Sequence, residues 1–117
     1  MNRILLDTHA FIWFVLNDPQ LSSTARDIIG DPESDVYLSA ASIWEMGIKT
    51  GLGKLSLTED PFSDFIKEQL AHNDIKVLPI EIVHVGVLTD LPLHHKDPFD
   101  RLLVAQSIAE SIPLVSV

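Results

Sequence analysis

Short apolar runs alternate with longer segments of helical character along the whole chain. The apolar runs predict buried strands over residues 4–6, 36–38, 75–78 and 113–117. The segments between them predict helices over residues 9–16, 22–29, 60–72, 81–88 and 97–111, and one that begins at Ser39 or Ser42 and ends near Gly51. Because apolar strands joined by helices form a parallel sheet that is covered on both faces, this order predicts an α/β fold. We expect a small, doubly wound, three-layer domain with a central parallel sheet of about four strands.

Composition narrows the class of protein. The chain has 117 residues, of which 46% are apolar and none is cysteine, so we expect one domain with a hydrophobic core and no disulfides. Trp13 and Trp44 are expected in that core rather than as platforms for base stacking, and His9 in the core or at an interface rather than as a catalyst. The apolar runs are far shorter than the roughly 18 residues of a membrane span, and Asp7 interrupts the first run too early for a signal peptide. These features predict a cytoplasmic protein with no membrane partner.

The net charge of the chain is −9, from 8 basic and 17 acidic residues. Proteins that bind nucleic acid through its backbone are usually basic, so a nucleic-acid function here needs a local basic patch or bound cations. An excess of acid also fits a carboxylate cluster that holds hard metal ions. The basic side chains near the acidic segments are Lys49, Lys54, His94, His95, Lys96 and Arg101.

Four acidic residues are candidates for such a cluster, and each also has a plain structural interpretation. Asp7 directly follows the first predicted strand and can cap the helix after it. Glu45 forms a capping box with Ser42 only if its helix begins there rather than three residues earlier. Asp97 and Asp100 fit a helix cap and a first-turn acid, both of which the helix dipole favours.

Taken together, these acids indicate a metal site. They lie at the carboxyl end of a predicted strand or in the first turns of predicted helices, so one rim of the sheet can collect them. Carboxylates that converge repel one another unless a divalent cation neutralises them. Oxygen ligands without thiolates favour Mg²⁺ or Mn²⁺ over zinc, and such ions support the hydrolysis of phosphodiesters.

Three segments carry a family resemblance, namely LLDTHAFIW, SAASIWEMGIKTGLGKL and LPLHHKDPFDRLLVAQSIAESIPLVSV. In this order they resemble the main blocks of the PIN domain, and most closely those of VapC-like toxins from bacterial type II toxin–antitoxin pairs. The resemblance implies an endoribonuclease that depends on Mg²⁺ or Mn²⁺, in which Asp7, Glu45 and Asp100 are catalytic and bind the metal. Asp97 belongs to the same block as Asp100 and is assigned a supporting role as a metal ligand.

The resemblance also implies partners for the chain. The substrate would be RNA, for which Thr8, Lys49, Lys96 and Arg101 are the candidate binding residues. A cognate antitoxin would pack on hydrophobic grooves near the site, and the toxin would form a homodimer. The fourth acid of the family usually follows the last strand, where this sequence ends. We therefore expect residues 1–117 to be a single PIN-like domain that lacks its C-terminal end.

Other functions stay open at this point. The chain can instead be a catalytically impaired PIN-like module that binds antitoxin or RNA. A phosphotransferase with Asp7 as nucleophile is a weaker alternative, because the stretch LLDTH lacks a second acid two residues after Asp7. A dinucleotide site is disfavoured because no G-x-G-x-x-G motif follows the first strand.

Overall fold

The computed structural model describes residues 2–92 and 97–117. Its strands are β1 (Asn2–Leu6), β2 (Ser34–Ser39), β3 (Ile75–Leu78) and β4 (Leu114–Val115). Its helices are α1 (Thr8–Val15), α2 (Ser23–Gly30), α3 (Ala40–Gly51), α4 (Phe62–His72), α5 (Ile82–Thr89) and α6 (Pro98–Glu110). Each predicted strand and helix is present, and β4 is markedly shorter than predicted. None of these described helices is long and apolar enough to cross a membrane.

The four strands form one parallel sheet in the order β3-β2-β1-β4, which confirms the predicted α/β fold. Leu6 of β1 lies between Leu38 of β2 on one side and Val115 of β4 on the other. The chain moves outward from β1 to β3 and then returns to the opposite side of β1. Such a reversal is a topological switch point, and ligands of open α/β sheets bind there, at the carboxyl ends of the strands.

Successive residues of the central strands point to opposite faces of the sheet and fill two apolar layers. The larger layer joins strand residues to the first four helices through Ile4, Leu6, Val36, Leu38, Phe11, Ile29, Met46 and Phe65. On the other face, Leu5 packs with Leu78 and Ile112. Burial of each large apolar side chain stabilises the fold by about 1.5–3 kcal/mol. The layers therefore fix the strand ends that carry the candidate site.

The N-cap of α3 shows which of the two predicted helix starts is correct. Ser39 is the N-cap, and its Oγ accepts a hydrogen bond from the Ala41 N–H at 3.0 Å. Glu45 therefore lies in the second turn of α3, where it cannot reach the N-cap, so the alternative capping box with Ser42 does not form. The Glu45 carboxylate stays available for contacts outside its own helix.

Trp44 is not in the core, so this expectation is wrong. His9 is not in the core either, and its alternative placement at an interface stays a prediction. Trp44 is 63% exposed, because its position on α3 turns it away from the sheet toward the first turn of α6, where its ring meets Phe99. His9 is exposed on α1, with its ring against Trp13. Trp13 itself is half-buried and packs against the larger apolar layer, as expected.

Candidate active site

A pocket of about 290 Å³ lies at the switch point between β1 and β4. Its wall includes Asp7, which follows β1, and Ser116, which follows β4. Asp100, in the first turn of α6, completes the polar side, and Leu103 and Val104 contribute apolar surface. Two of the predicted acids thus share one pocket, at the place where this sheet topology binds ligands.

Asp7 caps a helix and faces the pocket at the same time. Its Oδ1 accepts a hydrogen bond from the Ala10 N–H at 2.7 Å, which makes it the N-cap of α1. Its Oδ2 accepts from the Val117 N–H at 3.3 Å, on the side of β4. The Asp7 N–H donates to the Val115 carbonyl at 3.0 Å. Backbone N–H groups of α1 and of the segment after β4 therefore orient the carboxylate.

Glu45 is only 6% exposed, and a hydroxyl pair orients its carboxylate. Thr8 Oγ1 lies 2.9 Å from Glu45 Oε1 and 3.0 Å from Ser42 Oγ. Because a carboxylate can only accept, the Thr8 hydroxyl donates to Glu45 and the Ser42 hydroxyl donates to Thr8. Thr8 and Glu45 are among the residues predicted from the sequence, whereas Ser42 is not predicted as an orienting group. The spacing of three residues, which puts Ser42 and Glu45 on one face of α3, is the signal that could have revealed it.

Lys49 holds the second oxygen of Glu45. Its Nζ lies 2.9 Å from Glu45 Oε2, one turn further along α3. This hydrogen bond is the main reason that the pKa of Lys49 is raised above its usual value, and partial burial opposes it. The negative charges of Glu45, Asp97 and Asp100 raise the pKa further. Three of the four predicted acids therefore act on the same ammonium group.

Asp97 and Asp100 occupy the start of α6. Asp97 is the N-cap, and its Oδ1 accepts from the Phe99 N–H at 2.8 Å and from the Asp100 N–H at 3.3 Å. Pro98 follows at the first helical position, where its missing N–H costs nothing. Asp100 is exposed in the first turn and reaches the pocket that Asp7 lines. The cap thus positions the turn that carries Asp100.

Arg101, a candidate for substrate binding, makes anchoring contacts. Its guanidinium donates to the Pro92 carbonyl at 2.9 Å and to the Leu88 carbonyl at 3.1 Å. These hydrogen bonds tie the end of α5 to the start of α6, and so help to fix Asp97 and Asp100. The candidate Lys96, like the rest of residues 94–96, lies outside the described residues.

The donor set of this site fits a hard divalent cation. Asp7, Glu45, Asp97 and Asp100 offer carboxylate oxygens, which Mg²⁺ and Mn²⁺ prefer. Over residues 2–92 and 97–117, no three of these acids bring one oxygen each within 4.8 Å of the others. Binding of one shared ion therefore requires the carboxylates to draw together, and an ion at Glu45 Oε2 would compete with the Lys49 ammonium.

A closer group of ligand-type atoms lies between α5 and α6. Glu81, His84 and Glu110 each place one such atom within 4.8 Å of the others. His84 is fully buried, and its Nδ1 accepts the Glu81 N–H at 3.0 Å. Its Nε2 must then carry the proton, which it donates to Glu110 at 2.9 Å. Because both ring nitrogens are committed to these bonds, we assign this group a structural role. Hydrogen bonds from His84 and Arg3 hold the pKa of Glu110 below its usual value.

A larger pocket, of about 610 Å³, lies at the opposite end of the sheet. Its wall includes Asn2 and Arg3 at the start of β1, and Ser111 and Pro113 just before β4. Volume alone favours this pocket, but ligands of parallel α/β sheets bind at the carboxyl ends of the strands. The smaller pocket beside Asp7 is therefore the candidate active site.

The chain is an α/β protein whose parallel sheet carries an acidic pocket at its switch point. A profile of the PIN domain matches residues 4–117. The chain therefore belongs to the PIN domain family, as its three sequence segments predicted. PIN domains are generally nucleases that use divalent metal ions. Comparison with curated proteins gives no significant match.

A solved structure shares this architecture. The crystal structure of VapBC2 from Rickettsia felis, bound to a DNA fragment from their promoter, matches with a TM-score of 0.70 and 14% sequence identity. The match covers 97% of this chain and 86% of that chain. Similarity at this level of identity shows that the two chains have the same fold.

Proposed function

We propose that the chain is a Mg²⁺- or Mn²⁺-dependent endoribonuclease and the VapC-like toxin of a type II toxin–antitoxin pair. The observation that carries this proposal is the pocket at the switch point, which Asp7 and Asp100 line together. Glu45, held by Thr8 and Lys49, adds a third oriented carboxylate. Membership of the PIN domain family and the likeness to VapBC2 support the proposal.

The proposed roles follow from the contacts of each residue. Asp7, Glu45 and Asp100 would bind the ion, with Asp97 as a further ligand. A bound divalent ion supplies a Lewis acid that activates water near neutral pH and stabilises charge on the phosphate oxygens. Thr8 keeps the Glu45 carboxylate oriented through a buried hydrogen bond. Binding of the ion would therefore cost less conformational entropy at this side chain. Because water rather than a ribose 2′-hydroxyl attacks, the products should carry a 5′-phosphate and a 3′-hydroxyl.

Lys49 is the candidate contact to the RNA backbone that the described contacts support best. Its side chain is 44% exposed, and the negative charges of Glu45, Asp97 and Asp100 act on its ammonium group. Once Glu45 turns to an ion, this ammonium can meet a phosphate oxygen instead. Arg101 would contribute indirectly, since it anchors the connection that precedes Asp97 and Asp100. Lys96 keeps its proposed role from the sequence.

Cleavage of RNA by antitoxin-free protein tests the proposal. The assay compares Mn²⁺, Mg²⁺ and EDTA, and it compares the parent protein with Asp7→Asn and Glu45→Gln prepared in parallel. We expect cleavage that requires the metal and disappears in both variants, whereas a contaminating ribonuclease would survive both substitutions. Products with 2′,3′-cyclic phosphate ends would contradict the mechanism. Specific binding of RNA without cleavage at any metal concentration would favour the alternative, an impaired binding module.

The proposed protein partners are a cognate antitoxin and a second copy of the chain. Exposed apolar side chains on α5 support a protein interface, since Ile82 is 92%, Val83 56% and Val85 48% exposed. Light scattering on the parent protein and on Ile82→Ser tests the homodimer. A parent protein that is monomeric at high concentration would contradict it. Co-purification with the protein encoded beside the toxin tests the antitoxin.

A further inference from the structure

We propose that Trp44 and Phe99 form a stacking site for one unpaired base of single-stranded RNA, beside the acidic pocket. The inference rests on the proposed function and deepens it, because it assigns a place to the nucleotide next to the bond that is cut. It also gives a reason for the exposure of a large aromatic side chain that the sequence pattern placed in the core.

The geometry of the two rings leaves an open aromatic surface. Trp44 and Phe99 meet edge to face, with ring centroids 5.4 Å apart and ring planes 79° apart. Whichever ring presents its edge, Phe99 can cover at most one face of the indole. Trp44 is 63% exposed. A flat apolar surface therefore remains accessible, and Phe99 restricts the ring that carries it.

The position of the ring pair ties it to the acids. Trp44 directly precedes Glu45 in α3, and Phe99 directly precedes Asp100 in α6. Because each ring and its neighbouring carboxylate leave adjacent residues of one helix, their Cα atoms lie about 3.8 Å apart. A nucleotide whose phosphate reaches the acids can place a neighbouring base on the rings.

The charge of the chain favours a base as the occupant. With 8 basic residues against 17 acidic ones, long-range attraction to phosphates is poor. Stacking on an aromatic ring does not depend on net charge, and it strengthens binding by roughly 5- to 150-fold per base. The competing occupant is a second copy of this chain, since Ile48 of α3 and Leu52 just after it continue an exposed apolar row from Trp44. A second copy would have to contact the whole row to form a stable interface, whereas a base needs only the ring of Trp44.

Fluorescence of Trp44 provides a direct test. The chain has two tryptophans, so a Trp13→Phe background leaves Trp44 as the only reporter. In EDTA, the protein is titrated with a mixed-sequence single-stranded oligoribonucleotide and with an abasic strand of the same length. We expect quenching by the intact strand alone. Trp44→Ala should weaken binding of the intact strand by roughly 5- to 150-fold and leave binding of the abasic strand unchanged. Trp44→Phe should retain most of the affinity, and the matched control Ile48→Ala should change neither.

Several outcomes would overturn the inference. Equal weakening of intact and abasic strands by Trp44→Ala, or the absence of quenching, would show that no base stacks there. If light scattering shows that Trp44→Ala turns a dimer into a monomer while RNA binding persists, the ring holds a second copy instead. Since the titration is made in EDTA, it is independent of cleavage. A protein that cuts RNA without stacking refutes this inference alone, and one that stacks without cutting refutes the proposed nuclease.

Discussion

Lys49→Met removes the ammonium group that lies 2.9 Å from Glu45 Oε2 and keeps an unbranched side chain in its place. Without an ion, the Glu45 carboxylate then loses the positive charge that offsets it, while Asp97 and Asp100, whose charges also act on Lys49, stay in place. We therefore expect the metal-free variant to be less stable than the parent protein, and the metal-bound variant to be nearly as stable as the parent.

The magnitude follows from the burial of the two partners. An exposed ion pair contributes about 0.2–1 kcal/mol, whereas removal of one partner from a buried pair costs about 3–5 kcal/mol. The Glu45 side chain is 7% exposed and that of Lys49 is 44% exposed, so the pair lies between these limits. We expect a loss of about 1.5 kcal/mol in EDTA. If an ion replaces the ammonium at Glu45, linkage requires Mn²⁺ to bind the variant roughly tenfold more tightly.

Urea unfolding in EDTA and in excess Mn²⁺ measures the two stabilities, and calorimetric titration with Mn²⁺ measures the affinity. Lys54→Met is the matched control, because it removes the same charge from the loop after α3. We expect this control to change stability by no more than about 0.5 kcal/mol and to leave Mn²⁺ affinity unchanged. If Lys49→Met lowers stability in EDTA without tightening Mn²⁺ binding, the ammonium and the ion do not compete for Glu45, and the reasoning is refuted.

Three further predictions concern stability. Thr8→Val removes the buried hydrogen bond to Glu45 and should lower the free energy of unfolding by about 1.5–3 kcal/mol; an unchanged urea midpoint would contradict the assigned donor. Glu110→Gln should cost about 1 kcal/mol at pH 7. His84 holds the pKa of Glu110 below its usual value. The stability difference between the parent protein and Glu110→Gln should therefore be largest above the pKa that Glu110 has in the unfolded chain. It should vanish as the pH falls through the lower pKa of the folded protein, which urea titrations at several pH values would show. Ser111 has a φ of 55°, which glycine adopts more readily than serine. Ser111→Gly should therefore raise the free energy of unfolding by about 0.5 kcal/mol, and a higher melting temperature would show it. A lower melting temperature would show that the serine is preferred there.

The secondary structure could be predicted because its signals are local. Buried strands appear as short apolar runs, and Asp7, Ser22 and Asp97 mark helix starts through side-chain hydrogen bonds that need no distant partner. The carboxyl ends of neighbouring parallel strands meet at one rim, so the meeting of Asp7 and Asp100 at one pocket could also be anticipated.

The features that escaped prediction depend on distant partners or on the phase of a helix. Trp44 is exposed because its face of α3 turns toward α6 and away from the sheet, and the sequence of α3 alone does not show which face meets the sheet. From the sequence alone Arg101 resembles an exposed surface charge, because its partners, the carbonyls of Leu88 and Pro92, lie 13 and 9 residues earlier in the chain. The bond between His84 and Glu110 joins residues 26 positions apart, and no pattern in either segment announces it.

Capping a helix and binding a metal do not exclude each other at Asp7. A carboxylate has two oxygens, and at Asp7 the cap uses Oδ1, while Oδ2 accepts only one longer hydrogen bond, from the Val117 N–H. The cap even prepares the site, since it holds the carboxylate in one orientation at the switch point. This double role decides which substitution is informative. Asn caps a helix about as well as Asp, whereas Ala loses the cap at a cost of about 1 kcal/mol. Asp7→Asn removes the charge and keeps the cap, so a loss of activity in that variant reports on the proposed metal site rather than on the fold.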